Sequence, residues 1–322
     1  MTLFSSSAYA VAVKNTVSSS NTTEISGRGL VKPWTVTDLY QGASFFDSWD
    51  FYTGPDPTHG LVNFQSQQDA KNKNLIAYLD NRAVIAVDDF TWIQQGHNRD
   101  AVRITSKKHY NAGTLIIADF SGMPQGCGVW PAWWTVGPAW PTHGEIDILE
   151  GVHNTGTNAY HLHTDGGCSL DTNQPMQGQT LTTQCASGPS NNDGCGVQDR
   201  DPRSYGDGFN GAGGGVYAMY WGTDSIKMWH WARPDVPADI QNKQPNTASW
   251  PVPAAAFTAG PSCDIGKHFS DHVLVIDTTI CGDWAGATYQ SAGCPGTCGD
   301  HVTDPRNFAL AKWHVNYIAV YN

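Results

Sequence analysis

Of the 29 acidic residues only three are glutamates, and two of these stand five positions apart in Gly144-Glu145-Ile146-Asp147-Ile148-Leu149-Glu150-Gly151. In a regular strand Glu145 and Asp147 share one face while Ile146 and Ile148 take the other. Simple alternation would then turn Glu150 toward the isoleucines. One extra residue, a β-bulge at Ile148-Leu149, returns it to the acidic face, and bulges are over-represented beside active sites. Successive carboxylates would then stand roughly 6 to 7 Å apart along the strand. Three like charges in a row repel, so one of them is expected to hold a proton at working pH. A protonated carboxyl facing an ionised one is what cleavage of a glycosidic bond needs, about 5 to 5.5 Å apart for double displacement and about 6.5 to 9.5 Å when water must fit between. Glutamate side chains leaning over a shorter aspartate suit the closer spacing. The plain alternative is a strand with a solvated acidic face, which leaves the pairing of both glutamates unexplained.

A sugar site also needs flat apolar surfaces on which rings can lie. Trp130-Pro131-Ala132-Trp133-Trp134 and Trp140 place four of the 13 tryptophans just upstream of the acids. Trp133 and Trp140 are assigned to the cleft, and Trp130 and Trp134 are divided between cleft and core. Tyr160-His161-Leu162-His163 puts two histidines on one face of a further strand. His163 is taken as a site residue and His161 more as scaffold.

The elements that must carry these groups are strands. The chain has 322 residues with 34 Gly, 18 Pro, 13 Trp and 12 Tyr but only 18 Lys plus Arg. That mixture is poor in helix formers and rich in turn and strand formers, which predicts an all-β domain with long loops. Short apolar runs such as 83–87, 101–104, 113–117, 226–231, 273–276 and 313–321 alternate with turn clusters, and none sustains a long helical period. Residues 1–33 are Ser/Thr-rich, carry the sequon Asn21-Thr22-Thr23 and are expected to form a flexible tail ahead of one domain, 34–322. Residues 166–215 are expected to be long loops braced by Cys168, Cys185 and Cys195.

A net charge of −11 argues against nucleic acid as a partner, because such a partner calls for a cationic patch. Eight cysteines without zinc-ligand spacing suggest disulfides and an oxidising compartment, with the pairing left open. No run approaches a membrane span. No EF-hand spacing appears, so no metal ligands are assigned. A secreted or cell-wall location follows from the cysteines, although no clear signal peptide is visible. The protein is expected to act as a monomer.

With these residues in view, the sequence resembles the family 16 glycoside hydrolases, and among them the fungal laminarinase-like endo-β-1,3(4)-glucanases. Glu145, Asp147 and Glu150 match the family's Glu-x-Asp-x-x-Glu in its bulged form. Tyr40-Gln41-Gly42, Phe45-Phe46-Asp47-Ser48-Trp49, Asp56-Pro57-Thr58-His59-Gly60, Gly213-Gly214-Gly215-Val216-Tyr217-Ala218 and Cys281-Gly282-Asp283-Trp284-Ala285-Gly286 also look like family segments, so the resemblance spans about 35–321. It implies a β-jelly roll of two antiparallel sheets with a sugar cleft on the concave face. It further implies Glu145 as nucleophile, Glu150 as acid/base kept protonated by its neighbours, and Asp147 as the group that tunes the nucleophile. Arg103, Trp133, Trp140, His163 and Trp284 would bind glucose units. His153-Asn154 and Tyr220 depart from the family pattern at positions that could alter a subsite. The implied reaction is retaining hydrolysis of a β-glucan without a cofactor. A transglycosylase with the same residues and a non-catalytic β-glucan lectin are the rivals.

Overall fold

A computed structural model describes residues 33–188 and 191–322. The tail and sequon expected within residues 1–32 lie outside the described residues. From Trp34 onward the chain forms a β-jelly roll of two large antiparallel sheets with short helices in the connections. A small parallel pair, Val62–Phe64 with Arg99–Ala101, lies outside them.

One sheet runs Ala255–Thr258, Ser225–Ala232, Gly215–Trp221, Thr114–Gly122, Lys312–Tyr321, Arg82–Ala86 and Ile76–Leu79, with Val36–Tyr40 also paired to Lys312–Tyr321. The other runs Gln179–Thr182, Cys195–Gln198, Ala159–His163, Glu145–Glu150, Val129–Val136, Val273–Ile280, Arg103–Ser106 and Trp49–Phe51. Each run expected to be extended contains a strand, although 101–104 is split at Val102 between two of them. The segment 166–215 is more ordered than expected. It supplies two strands of the second sheet and the helix Gly206–Gly211, because Thr180 and Thr182 find partners on Cys195–Gln198 that local sequence does not announce.

The core lies between the inner faces. Ile104, Trp133, Ile146, Ile148, Leu149, Tyr160, Leu162, Leu274 and Ile276 come from the second sheet, and Ile116, Ala118, Phe120, Tyr217, Met219, Ile226 and Met228 from the first, all with almost no exposed surface. All eight cysteines are paired, as Cys127–Cys294, Cys168–Cys263, Cys185–Cys195 and Cys281–Cys298. Two of these bonds anchor the segment from Cys281 to Cys298 to each other and to the loop before Val129, which holds Trp284 over the second sheet. No helix among the described residues is long and apolar enough to cross a membrane.

Candidate active site

The strand Glu145–Glu150 pairs with Val129–Val136 so that Asp147 faces Trp134, Leu149 faces Trp133 and Glu150 faces Ala132. Ile148 has no counterpart and is the extra residue of a bulge. Its effect is the expected one: Ile146, Ile148 and Leu149 are buried between the sheets, while Glu145, Asp147 and Glu150 turn outward. Gly144 makes the entry into this strand possible. Its φ is +79°, and a Cβ there would stand 2.6 Å from the His268 carbonyl oxygen, so only glycine fits.

The three carboxylates line a cleft of about 650 Å³ on the outer face of the second sheet. His161 lies in register with Asp147, and His163 with Glu145. His163 Nε2 is 3.3 Å from Asp147 Oδ2 and 3.9 Å from Glu145 Oε1, while His161 Nδ1 is 3.4 Å from Glu150 Oε2. The Trp130 indole N–H donates to Glu150 Oε1 at 2.9 Å. Further along the sheet Arg103 Nη1 stands 3.5 Å from Asp277 Oδ2, and its guanidinium lies 4.9 Å from the centre of the Trp134 ring.

Of the residues singled out from sequence, Glu145, Asp147, Glu150, Arg103, Trp140, His163 and Trp284 all line this cleft. Trp133 does not. It is buried, edge-on to Phe120 at 6.2 Å, because strand alternation sends it to the core and its neighbours Trp130 and Trp134 to the cleft. Tyr220 also lies elsewhere, on the other sheet against Trp34. His153 is a buried scaffold residue whose Nδ1 accepts from the Gly128 N–H at 2.9 Å. The cleft adds His161, Asp56, Asp277 and Asp283, which sequence reasoning passed over or ranked low. For His161 the alternation with His163 was signal enough. For Asp277 the signal was an acid directly following the apolar run Val273-Leu274-Val275-Ile276.

Electrostatics separate the three carboxylates. Burial, with the repulsion of Asp147 behind it, raises Glu145 well above the usual carboxylate range. Burial and the charge of Glu150 do the same to Asp147. Burial alone would raise Glu150 too, but the hydrogen bond and charge of His161 and the Trp130 indole outweigh it and hold Glu150 below its ordinary value. Against the expectation that its neighbours raise Glu150, the shift of this carboxyl is downward, because the Trp130 indole donates to it and His161 stands beside it. Burial pushes Asp277 up to about 7 against the opposing charge of Arg103.

Glu145, Asp147 and His163 form one trio whose ligand atoms lie within 4.8 Å of one another, and Asp147, Glu150 and His161 form another. Either trio has donors that could hold a cation. The same groups, adjacent acids of opposed proton affinity beside partly exposed indoles, also suit proton and glycosyl transfer to a sugar.

Comparison with known proteins agrees with this fold. The chain is 40% identical over 295 residues to an endo-1,3(4)-β-glucanase of Arthroderma benhamiae, covering 88% of this chain and 64% of that protein. The chain thus spans just under two thirds of that relative's length. Laminarinase 16A of Phanerochaete chrysosporium, solved with β-glucans in donor and acceptor sites, superposes with a TM-score of 0.87 at 38% identity, over 90% of this chain and all of that one. An elongating family 16 β-1,3-glucosyltransferase superposes with a TM-score of 0.85 at 38% identity, over the same shares. The model of the XgeA-like catalytic domain of glycoside hydrolase family 16 matches residues 49–321, and the chain accordingly belongs to glycoside hydrolase family 16.

Proposed function

We propose that residues 34–322 form a retaining endo-β-glucanase domain that hydrolyses β-1,3 and mixed β-1,3/1,4 glucans. The observation that carries this reading is the bulged strand, which turns Glu145, Asp147 and Glu150 into one cleft beneath Trp130, Trp134, Trp140 and Trp284. Family membership and the likeness to the Arthroderma glucanase and the Phanerochaete laminarinase support it.

In this reading Glu145 attacks the anomeric carbon while Glu150 gives its proton to the leaving oxygen as the C–O bond breaks. Glu150 then takes a proton from water, whose oxygen displaces Glu145 from the sugar and restores the original anomer. Chemistry needs Glu145 ionised and Glu150 protonated, against the direction in which burial shifts Glu145 and the contacts of His161 and Trp130 shift Glu150. Moving one proton from Glu145 to Glu150 leaves the total charge of the cluster unchanged. Arg103 and His163 both favour the Glu145 anion, and a proton retained on Asp147 can hydrogen-bond to it. A bound sugar that excludes water would favour the neutral form of Glu150. Trp130, Trp134, Trp140 and Trp284 would carry glucose rings.

Four disulfides are consistent with work outside the cell, as a secreted or wall-associated monomer. A second reading, a transglycosylase that passes the glycosyl group to a sugar hydroxyl, is favoured by the structural likeness to the elongating glucosyltransferase. Incubation with β-1,3-, mixed-linkage and β-1,4-glucans at about pH 5, following reducing ends, product masses and the first-formed anomer, separates these. Short β-anomeric products support the hydrolase, lengthened products the transglycosylase, and binding without new reducing ends a lectin.

A further inference from the structure

The bulge that makes the site also breaks the sheet. The motif strand pairs with Ala159–His163 only through Glu145, Ile146 and Asp147. Beyond Asp147 the main chain diverges, and the Ile148 carbonyl and the Glu150 N–H lose the partners that a regular antiparallel ladder would supply. Both groups are nevertheless satisfied, by one side chain. Asn158 Oδ1 accepts from the Glu150 N–H at 2.8 Å, and Asn158 Nδ2 donates to the Ile148 carbonyl at 2.9 Å. The amide orientation is dictated by chemistry, since an N–H needs an acceptor and a carbonyl needs a donor.

Asn158 has no exposed surface, and its own main chain is clamped. Its N–H donates to Ser204 Oγ at 2.9 Å, and that hydroxyl donates to the Asp201 carbonyl at 2.7 Å. Its carbonyl accepts from the Asp199 N–H at 2.8 Å and from Gln198 Nε2 at 3.1 Å. A rigid frame built by residues 198–204 therefore reaches, through one amide, the backbone atom next to the Glu150 side chain. The far end of Glu150 is held separately by Trp130 and His161.

We propose that Asn158 is a positioning residue for Glu150: its side-chain amide replaces the ladder rung lost at the bulge and so fixes the direction in which the Glu150 carboxyl meets the glycosidic oxygen. The inference rests on the acid/base reading of Glu150 above. Loss of the amide leaves the nucleophile, its neighbours and the indoles in place, so the damage falls on proton delivery. Proton delivery matters in proportion to how poorly the leaving group departs unaided. A glucosyl alkoxide must receive the proton as its bond to the anomeric carbon breaks, whereas a dinitrophenolate leaves with the electron pair and no proton.

The test compares kcat/KM on laminarin and on 2,4-dinitrophenyl β-laminaribioside for the wild type, Glu150→Ala, Asn158→Ala and Asn158→Asp. We expect Asn158→Ala to lose about 30-fold on laminarin and under about threefold on the dinitrophenyl substrate, the same selectivity as Glu150→Ala in milder form. Asn158→Asp retains the acceptor for the Glu150 N–H and should show the same pattern with a smaller loss. It decides the matter if the alanine variant does not fold. Equal fractional losses on both substrates, or no loss on laminarin, would overturn the inference and leave Asn158 a structural residue. Should Glu150→Ala itself lose equally on both substrates, it is the acid/base reading that fails.

Discussion

The two sheets treat their outer faces in opposite ways. On the first, Leu115, Ile117, Val216, Ala218, Trp229, Trp231 and Tyr317 are covered by the segment carrying Val236, Ile240 and Trp250, with Trp250 edge-on to Trp229 and Trp231 at 5.1 and 5.0 Å. Two of these indoles donate inside the protein, Trp229 to the Pro251 carbonyl and Trp250 to Asp239. On the second sheet the outer face carries Glu145, Asp147, Glu150, His161, His163, Arg103 and Asp277, and among the described residues it forms the floor of an open cleft flanked by Asp56, Asp193 and Trp284. Indoles occur on both faces, so tryptophan by itself does not mark a sugar site. What differs is the clustering of carboxylates: the first face carries Asp119 paired with Arg233, whereas the second gathers Glu145, Asp147, Glu150 and Asp277 side by side. Charged groups resist burial without partners, and a sheet face rich in them stays open as a cleft.

The largest effect that would break this contrast is on turnover. Glu145→Gln should lower laminarin turnover by at least about 10³-fold with little change in melting temperature, and a variant keeping more than about a tenth of the rate would remove Glu145 from the nucleophile role.

The next two changes oppose neighbouring side chains on opposite faces of one strand. Trp133→Ala should cost about 3 to 5 kcal/mol of stability, seen in urea unfolding, while molecules still folded keep their KM. Trp134→Ala should raise KM about tenfold at much smaller cost to stability. The reverse pattern would mean that the faces have been exchanged.

A subtler test concerns the charges buried under the open face. The folded protein holds a proton on Asp277 up to about pH 7, whereas the unfolded chain releases it near the ordinary aspartate value. Asp277's contribution to stability is therefore fully present below about pH 4 and is lost as pH rises through about 7. Asp277→Asn should gain on the wild type between those limits by up to about 4 kcal/mol, read from urea midpoints at several pH values. His230 and His272, lowered to about 4 by burial, act in the opposite sense, losing stability as pH falls from about 6.5 through about 4. The wild-type profile mixes both, so the difference between variant and wild type is the quantity to follow.

The smallest effect should come from Lys73→Ala, away from both faces. Its half-exposed ion pair with Asp100 at 2.7 Å should be worth less than about 1 kcal/mol, with activity unchanged.

Sequence alone determined what nearest-neighbour rules can carry. Alternation and one inserted residue placed Glu145, Asp147 and Glu150 on a common face and paired His161 with His163, because side-chain direction along a strand depends only on position within it. Composition indicated strands and an oxidising compartment. Tertiary structure decided the rest. Val129–Val136 has two possible faces, and only packing against Phe120 in the other sheet made Trp133 core and sent Trp130 and Trp134 to the cleft. The disulfide partners, the Arg103–Asp277 pair and the reach of Asn158 into the bulge likewise join residues distant in sequence or dependent on how neighbouring strands part. The opposed shifts of Glu145 and Glu150 followed from burial and from donors on other strands. Chemical type is a property of each residue, whereas register, burial and field belong to the assembled sheets.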